Sequence, residues 1–421
     1  MPNPRARVLV LAIPLGLVMC SGSPAGVGAD GGAPHAGSSG SGPGGSGGSS
    51  SGGGAASIGP SGASDASTGG AEDSSSGNQS GAGPGDSDTP AACAAAAAGN
   101  TPLGKDMPDA TGTAVDAITY TNVGVAGSYD KVVTSTVAPT CVANVCQKTA
   151  KNVSGPLVPF DEEMTMVFSG PMDLYQVAAY QPGTGGYERV AYWDPCTTDG
   201  LAFVGNKAWY QCNGYVQSYV TDDGSASSPT PVQFAGHLDP GVGVNVMSSV
   251  ACTGTTDGTD CGFSRGLALH GFKGDAAGSK IFVTKFRMPL GDVTPAYWIL
   301  PAQVVRSSQY GCNCRGEGGQ GGCGELDVAE VLGGSTANPA HPMQATTTIY
   351  SFQGVTNGGE SYFQRPVYET ATFVVIFDAP SRSIAMRRLG ATDFDFAAEI
   401  PSATVAAWLA NAGTSRAMPT P

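Results

Sequence analysis

Three carboxylates occur within six residues of the stretch GCGELDVAEVL (322–332), namely Glu325, Asp327 and Glu330. Alternate residues of a β-strand face the same side, so Glu325 and Asp327 share one face while the apolar residues between them face the other. Strict alternation would put Glu330 on the apolar face. A β-bulge at Val328–Ala329 would insert one residue and return Glu330 to the acidic face. The sequence therefore predicts a bulged strand that carries three acids in one row.

Acids in such a row could perform glycoside hydrolysis, in which two carboxyl groups flank the scissile bond. A separation of about 5–5.5 Å gives retention of configuration and a wider one gives inversion. Strand residues two positions apart lie about 6–7 Å apart along the backbone, and glutamate side chains are long enough to converge. A third carboxylate between the pair can share the proton of the acid. The alternatives are a solvated acidic edge strand and a calcium site.

The segment GELDVAEVL resembles the signature of the family 16 glycoside hydrolases, the laminarinase and lichenase group. Upstream, SKIFVTKFRMPLGDVTPAYWILPAQ (279–303) resembles the strand pair that precedes the catalytic strand in that family. The segments SSQYGCNCRGEGGQGGC (307–323) and ITYTNVGVAGSYDKV (118–132) resemble a narrower group, the fungal cell-wall proteins of the target-of-SBF type. This resemblance covers about residues 117–410, and it implies a glycoside hydrolase acting on O-glycosyl bonds, similar to an endo-β-glucanase.

The resemblance also implies a retaining mechanism and a role for each acid. Glu325 matches the nucleophile of the family. Glu330 matches the acid/base, which protonates the leaving oxygen and then activates water. Asp327 matches the helper that modulates the position of the proton. Trp298 matches a residue near the cleft, where its indole would stack on a sugar ring, and core packing is the alternative.

Gln309 and Tyr310 lie in the segment that precedes the acidic strand. They are further candidates for substrate binding because both can hydrogen-bond sugar hydroxyls. Support of the loop is their alternative role. The implied substrate is a β-glucan, with β-1,3-glucan favoured, and we expect neither a cofactor nor a metal. A glucan transglycosidase would share the first chemical step. A non-catalytic carbohydrate-binding or cell-wall structural protein is the alternative from another class, and the three intact acids count against it.

The segments around the acids are rich in short β-branched or aromatic runs separated by turn residues. These runs are 164–170, 175–181, 280–288, 345–352, 372–378 and 383–389. One helix is predicted over 402–413, with Ser402 as its cap and Gly413 as its stop. The pattern predicts an all-β antiparallel sandwich or barrel, and the resemblance favours a jelly-roll sandwich of the concanavalin-like type. An N-terminal β-rich module over 117–204 would precede a hydrolase-like sandwich over 205–413, with one sandwich built from both halves as the alternative.

The N-terminal segments have a different composition. Residues 1–20 combine two arginines with a short apolar run, which is typical of an export signal and too short for a stable membrane span. The run ends at Cys20, in a motif that resembles a bacterial lipoprotein box except for Met19, where a small residue is expected. Cys20 is therefore a candidate lipidation site, with an ordinary, later cleavage as the alternative. Residues 21–116 form a Gly/Ser-rich tether that cannot bury enough apolar surface to fold.

Charge and cysteine content restrict the classes of partner. The net charge is −14, with only 20 Lys and Arg, so we expect no nucleic-acid partner. Setting Cys20 aside leaves ten of the 11 cysteines, and an even set in an exported chain predicts disulfides. Cys141–Cys146 and Cys252–Cys261 are candidate short loops, and bridging is favoured over zinc for the cysteines of 307–323. We expect an exported monomer, extracellular or at the cell surface, which an N-terminal lipid would anchor to a membrane.

Overall fold

The computed structural model describes residues 112–137, 144–206, 217–253, 261–290, 294–307, 322–332 and 341–420. These residues form an all-β sandwich, which confirms the predicted fold class. In chain order the elements are β1 (Thr113–Ala114), β2 (Ala117–Thr121), β3 (Gly127–Val137), β4 (Asn144–Val153), β5 (Met164–Ser169), β6 (Met172–Pro182), β7 (Gly186–Asp194), β8 (Thr197–Asp199), β9 (Leu201–Asn206), β10 (Gln217–Val220), β11 (Ser227–Ser228), β12 (His237–Leu238), β13 (Gly243–Ser248), β14 (Lys280–Arg287), β15 (Ala296–Pro301), α1 (Ala302–Arg306), β16 (Glu325–Glu330), β17 (Gln344–Ser351), β18 (Gly354–Asn357), β19 (Ser361–Gln364), β20 (Ala371–Asp378), β21 (Ser383–Gly390), β22 (Glu399–Pro401), α2 (Ser402–Ala410) and β23 (Thr414–Ala417).

Two large sheets form the layers of the sandwich. The acidic sheet, named for the strand with the three acids, has the order β1-β19-β17-β16-β15-β5-β13-β9-β10-β11, with β18 paired to β17. The second sheet has the order β22-β7-β6-β14-β20-β21-β2-β23, with β12 and β8 paired to β6 and β7. Strands β3 and β4 form a separate hairpin. Strands from both predicted modules enter each sheet, since β5 pairs with β15 and β6 pairs with β14.

Aromatic side chains between the two sheets hold the acidic sheet on the second sheet. Tyr297 of β15 stacks on Phe168 of β5 at 4.8 Å and meets the edge of Phe286 of β14 at 5.8 Å. Phe286 stacks in turn on Phe373 of β20 at 4.8 Å. Aromatic pairs of this kind contribute about 0.5–1.5 kcal/mol each beyond their burial. Because Tyr297 lies on the neighbour of β16, this packing fixes the strand against which the acids are aligned.

The predicted runs all correspond to strands, but the details of the predicted helix are wrong. Helix α2 starts at Ser402, yet its cap is Pro401, and the Ser402 hydroxyl donates to the carbonyl of Gly185 at 3.0 Å. The helix ends at Ala410 rather than at Gly413. The cause is tertiary, since pairing of β22 with β7 brings Ser402 against Gly185. The described residues contain no helix long and apolar enough to cross a bilayer.

A disulfide joins Cys252 and Cys261, which closes one of the two candidate short loops. A disulfide between cysteines nine positions apart restricts the unfolded chain, and it contributes about 2–3 kcal/mol to the free energy of unfolding. We expect the double change Cys252→Ala and Cys261→Ala to lower the free energy of unfolding by that amount, measured by guanidinium denaturation. Val250→Ala, at an exposed neighbour, is the control and should have little effect. Equal stability of the double variant and the wild type would contradict the expectation.

Lys280 begins β14, and burial lowers its pKa to about 7 from an ordinary 10.5. Its amine donates to the carbonyls of Glu162 at 2.7 Å and Lys273 at 2.8 Å. Between these two pKa values the unfolded chain binds more protons than the folded one, so stability rises with pH and is lost as pH falls through 7. We expect the free energy of unfolding to rise between pH 7 and 9.5 by up to about 1.4 kcal/mol per pH unit.

Denaturation of Lys280→Met over the same pH range tests this expectation. The methionine cannot titrate, so the variant should lose the part of the rise that Lys280 causes, whatever its absolute stability. The lowered pKa values of Lys131 and Lys285 should keep a smaller part of it. Lys273→Met, which removes an exposed amine on the same segment, is the matched control and should keep the rise. Parallel curves for wild type and Lys280→Met would mean that another group causes the pH dependence.

Candidate active site

The register of β16 against β17 places the three acids on one face of the acidic sheet. The opposed pairs are Glu325 with Tyr350, Asp327 with Thr348 and Glu330 with Thr346. The three partners on β17 are each two residues apart, so they face one side, and the acids opposite them face the same side. The register shifts between Asp327 and Glu330, which is the effect of one inserted residue.

The other neighbour of β16 gives the same result. On β15, Ala296 lies opposite Glu330 and Trp298 lies opposite Asp327, with a second register shift beside Trp298. The bulge predicted at Val328–Ala329 is therefore confirmed. Bulges occur often next to active sites because they re-aim a side chain without ending the strand.

The apolar residues of the same strand face the core between the two sheets. Leu326, Val328, Ala329 and Val331 are all fully buried in the cluster that joins the sheets. Burying a Leu or Val side chain contributes about 1.5–3 kcal/mol, whereas a slip of one residue would turn these side chains to the acidic face. The apolar set thus fixes the register that aligns the acids.

Burial increases from Glu330 towards the start of the strand. Glu330 is partly buried, whereas Glu325 and Asp327 are 4% and 5% exposed. Holding neighbouring carboxylates out of water costs free energy, because the charges repel each other and lose hydration. Such arrangements concentrate at functional sites. The geometry therefore supports chemistry at this face rather than a solvated acidic edge.

Trp298 lies beside Asp327 and is 5% exposed, within a second apolar cluster that includes Val167 and Leu300. Packing therefore accounts for most of its surface, and stacking on a sugar stays a prediction. The same row continues across the sheet, because Val167 lies opposite Trp298 and Asn245 lies opposite Val167.

Asn245 is a polar residue of this row that the sequence reasoning missed. Its side chain is 2% exposed and donates to the carbonyl of Val204 at 3.4 Å. Its Oδ1 has no hydrogen-bond partner among the described residues. In the sequence, Asn245 is marked only as a polar residue at an outward position of the alternating run VNVMS. Any strand at the protein surface would show the same pattern.

The hairpin β3–β4 is tied to the segment that precedes β5 and to α1. The hydroxyl of Tyr129 donates to the carboxylate of Glu162, and the amide of Gln303 donates to both groups at 3.0 and 2.9 Å. The sulfur of Cys323, which is disulfide-bonded, lies 3.8 Å from the carbonyl of Asp130 in β3. Cys323 and Tyr129 of β3 also belong to one apolar cluster, so the hairpin packs against the chain two residues ahead of Glu325.

Among the residues that the structure describes, one group of side chains has the composition of a metal site. Donor atoms of Cys252, Cys261 and His270 lie within 4.8 Å of one another. The two sulfurs are bonded to each other, so the thiolates that a metal would need are not available. The substrate-binding candidates Gln309 and Tyr310, and the lipidation candidate Cys20, lie outside the described residues and stay predictions.

Comparison with known proteins gives two family matches along the folded part of the chain. The model described as "Cell wall protein YJL171C/Tos1, C-terminal" matches residues 185–408, and the corresponding N-terminal model matches residues 116–182. The resemblance to the fungal cell-wall group is thereby confirmed, whereas the assignment to the family 16 hydrolases stays a prediction. No solved structure gave a significant match.

Curated relatives carry names that state an activity. A Candida albicans protein named "Probable circularly permuted 1,3-beta-glucanase PGA52" is 26% identical over 71% of this chain and 83% of the relative. Saccharomyces cerevisiae and Candida albicans proteins named "Probable circularly permuted 1,3-beta-glucanase TOS1" are 31% and 32% identical over 56% and 55% of this chain. The chain spans about half the length of these two TOS1 relatives.

Proposed function

We propose, on the premise that this chain belongs to the YJL171C/Tos1 family of cell wall proteins, that it is a cell-surface enzyme that hydrolyses a β-glucan with retention of configuration. The observation that carries the proposal is the bulge in β16, which aligns Glu325, Asp327 and Glu330 on one face of the acidic sheet. A solvated edge strand would need neither the bulge nor the burial of two of the acids.

In the proposed mechanism the Glu325 carboxylate attacks the anomeric carbon of the sugar. The glycosidic bond breaks as Glu330 protonates the departing oxygen, which leaves a glycosyl ester on Glu325. Glu330 then removes a proton from water, and that water releases the sugar from Glu325 with the original configuration. Asp327 lies between them on the same face and can share the proton of Glu330 during both steps.

The burial of the acids supports this division of roles. Glu325 is the more enclosed glutamate, as suits a nucleophile that acts on a ring held against the sheet. Glu330 is more exposed, as suits a residue that must exchange a leaving sugar for water. Thr346, Thr348 and Tyr350 face the same side and are partly exposed. Their hydroxyl groups suit a neutral, hydroxyl-rich substrate.

A β-1,3-linked glucan is the proposed substrate, because the curated relatives carry the name "Probable circularly permuted 1,3-beta-glucanase". The same names describe a circular permutation. In this chain β2 and β23 pair in parallel, with Ile118 opposite Thr414. The two end segments of the sandwich thus lie side by side, which is the arrangement that lets a chain be reconnected and reopened elsewhere.

Mass spectrometry after incubation of the full chain with laminarin oligosaccharides in heavy-oxygen water tests the proposal. Shorter sugars that carry one heavy oxygen would support hydrolysis. Longer, unlabelled sugars would instead identify a transglycosidase that uses the same two glutamates. Binding to the oligosaccharides without any new product would contradict an enzyme and favour a carbohydrate-binding wall protein.

A further inference from the structure

A hydroxyl group from the core side of the acidic sheet contacts the bulge. A bulge interrupts the ladder of hydrogen bonds, so its backbone groups need other partners. The carbonyl of Asp327, at the start of the bulge, accepts a hydrogen bond of 2.7 Å from the side-chain hydroxyl of Thr347. Thr347 is 1% exposed and faces away from the acids, since its neighbours Thr346 and Thr348 are the ones opposite them.

The second sheet supplies a partner to this hydroxyl. Tyr120 of β2 is fully buried, and its phenol donates to Oγ1 of Thr347 at 3.3 Å. Burial, with a smaller contribution from the charge of Asp327, raises the pKa of Tyr120 well above its usual range. The phenol therefore stays protonated and remains a donor. Hydrogen bonds then run in one direction, from Tyr120 to Thr347 to the Asp327 carbonyl.

The far end of the bulge has a similar contact. The hydroxyl of Thr346 donates to the carbonyl of Glu330 at 3.0 Å. Two consecutive threonines of β17 therefore hold the two ends of the bulge from opposite faces of the sheet. The separation of the carbonyls of Asp327 and Glu330 determines how far the Glu330 side chain lies from Glu325.

The chain of hydroxyls lies among apolar side chains, where polar groups cost free energy unless they are satisfied. Ile118, Ile349 and Met386 belong to the surrounding core cluster. Packing alone would be served as well by a valine, which has nearly the shape of threonine. The placement of a hydroxyl at Thr347 is therefore explained by the carbonyl that it fixes.

We propose that Thr347 is a positioning residue, which fixes the bulge and thereby the placement of Glu330 relative to Glu325, and that Tyr120 orients its hydroxyl. The proposal rests on the proposed function, because it concerns the efficiency of the same two glutamates. If so, residues in the core between the sheets, including Tyr120 on β2 of the second sheet, help to set the positions of the catalytic side chains.

Kinetics of Thr347→Val and Thr347→Ser on two substrates test the proposal. A laminarin oligosaccharide needs protonation of its leaving oxygen, whereas an aryl laminaribioside with an acidic phenol hardly does. We expect Thr347→Val to lower kcat/KM for the oligosaccharide by about 10–100-fold, as misplacement of a catalytic group does. The loss on the aryl glycoside should be much smaller. Thr347→Ser restores the hydroxyl and should restore most of the rate.

Thr372→Val is the matched control, because Thr372 is fully buried in the second sheet and its hydroxyl has no partner in the described part of the chain. It should leave both rates unchanged. Tyr120→Phe, which keeps the ring, should lower the oligosaccharide rate less than Thr347→Val and in the same substrate-dependent way. This variant also keeps the test valid if Thr347→Val does not fold.

Equal losses on both substrates, or no rescue by serine, would overturn the inference and leave Thr347 as a packing residue. Such a result leaves the proposed function intact, because the wild type is then active. A wild type that is inactive on both substrates overturns the proposed function and the inference together. The two failures are therefore distinguishable within one experiment.

Discussion

Glu325→Gln is expected to reduce turnover of laminarin oligosaccharides by about 10⁴-fold or more, as the loss of a catalytic nucleophile does in other hydrolases. The amide is isosteric but cannot form the glycosyl ester. Stability should stay near that of the wild type or rise slightly, because the change removes a carboxylate charge from beside Asp327, at a position where Glu325 is 4% exposed. Rates and thermal midpoints of the purified full chain provide the measurement.

Glu163→Gln is the matched control for this prediction. Its carboxylate contacts His270 at 2.6 Å and Arg306 at 3.2 Å, and it has no place in the proposed mechanism. This control should lower stability and retain turnover, which is the opposite pattern to Glu325→Gln. If Glu325→Gln instead lost stability and kept its activity, the three acids would be structural.

Glu330→Gln is expected to lower kcat/KM for the oligosaccharide by about 10²–10⁴-fold, the usual contribution of a general acid. An aryl laminaribioside with an acidic leaving group should still form the glycosyl ester quickly. The ester would then accumulate, because no base activates water.

The comparison of the two substrates decides whether Glu330 is the acid/base. Glu360→Gln, at an exposed glutamate between β18 and β19, is the control and should behave like the wild type on both substrates. A similar loss on both substrates for Glu330→Gln would indicate a role in binding, and unchanged rates would exclude Glu330 from the mechanism.

The bulge could be predicted from the sequence because two local patterns conflict within one strand. Glu325 and Asp327 are two positions apart and so share the acidic face. Glu330 is three positions after Asp327 and breaks this spacing, whereas Val331 is an apolar residue that suits the core face. One inserted residue reconciles all of them, and the register confirms it. The strands could be predicted for a similar reason, since β-branched and aromatic runs between turn residues depend on near neighbours.

The residues that surround the acids could not be predicted in the same way, because their contacts are distant in sequence. Tyr120 meets Thr347 across 227 positions, and β5 lies beside β15 although more than a hundred residues separate them. For Asn245, the sequence indicates only that a polar residue occupies an outward-facing position of a strand. The cap of α2 differs from the predicted one for the same reason, since the pairing of β22 with β7 decides where Ser402 lies.

The most direct test of the central claim is to identify the residue that carries the sugar during turnover. A 2-deoxy-2-fluoro laminaribiosyl fluoride forms the glycosyl ester and slows its hydrolysis, so the labelled peptide can be mapped by mass spectrometry. A retaining mechanism with Glu325 as nucleophile predicts one added disaccharide on Glu325 and none in Glu325→Gln. A label on Glu330 or Asp327, or no label on a chain that hydrolyses laminarin, would contradict it.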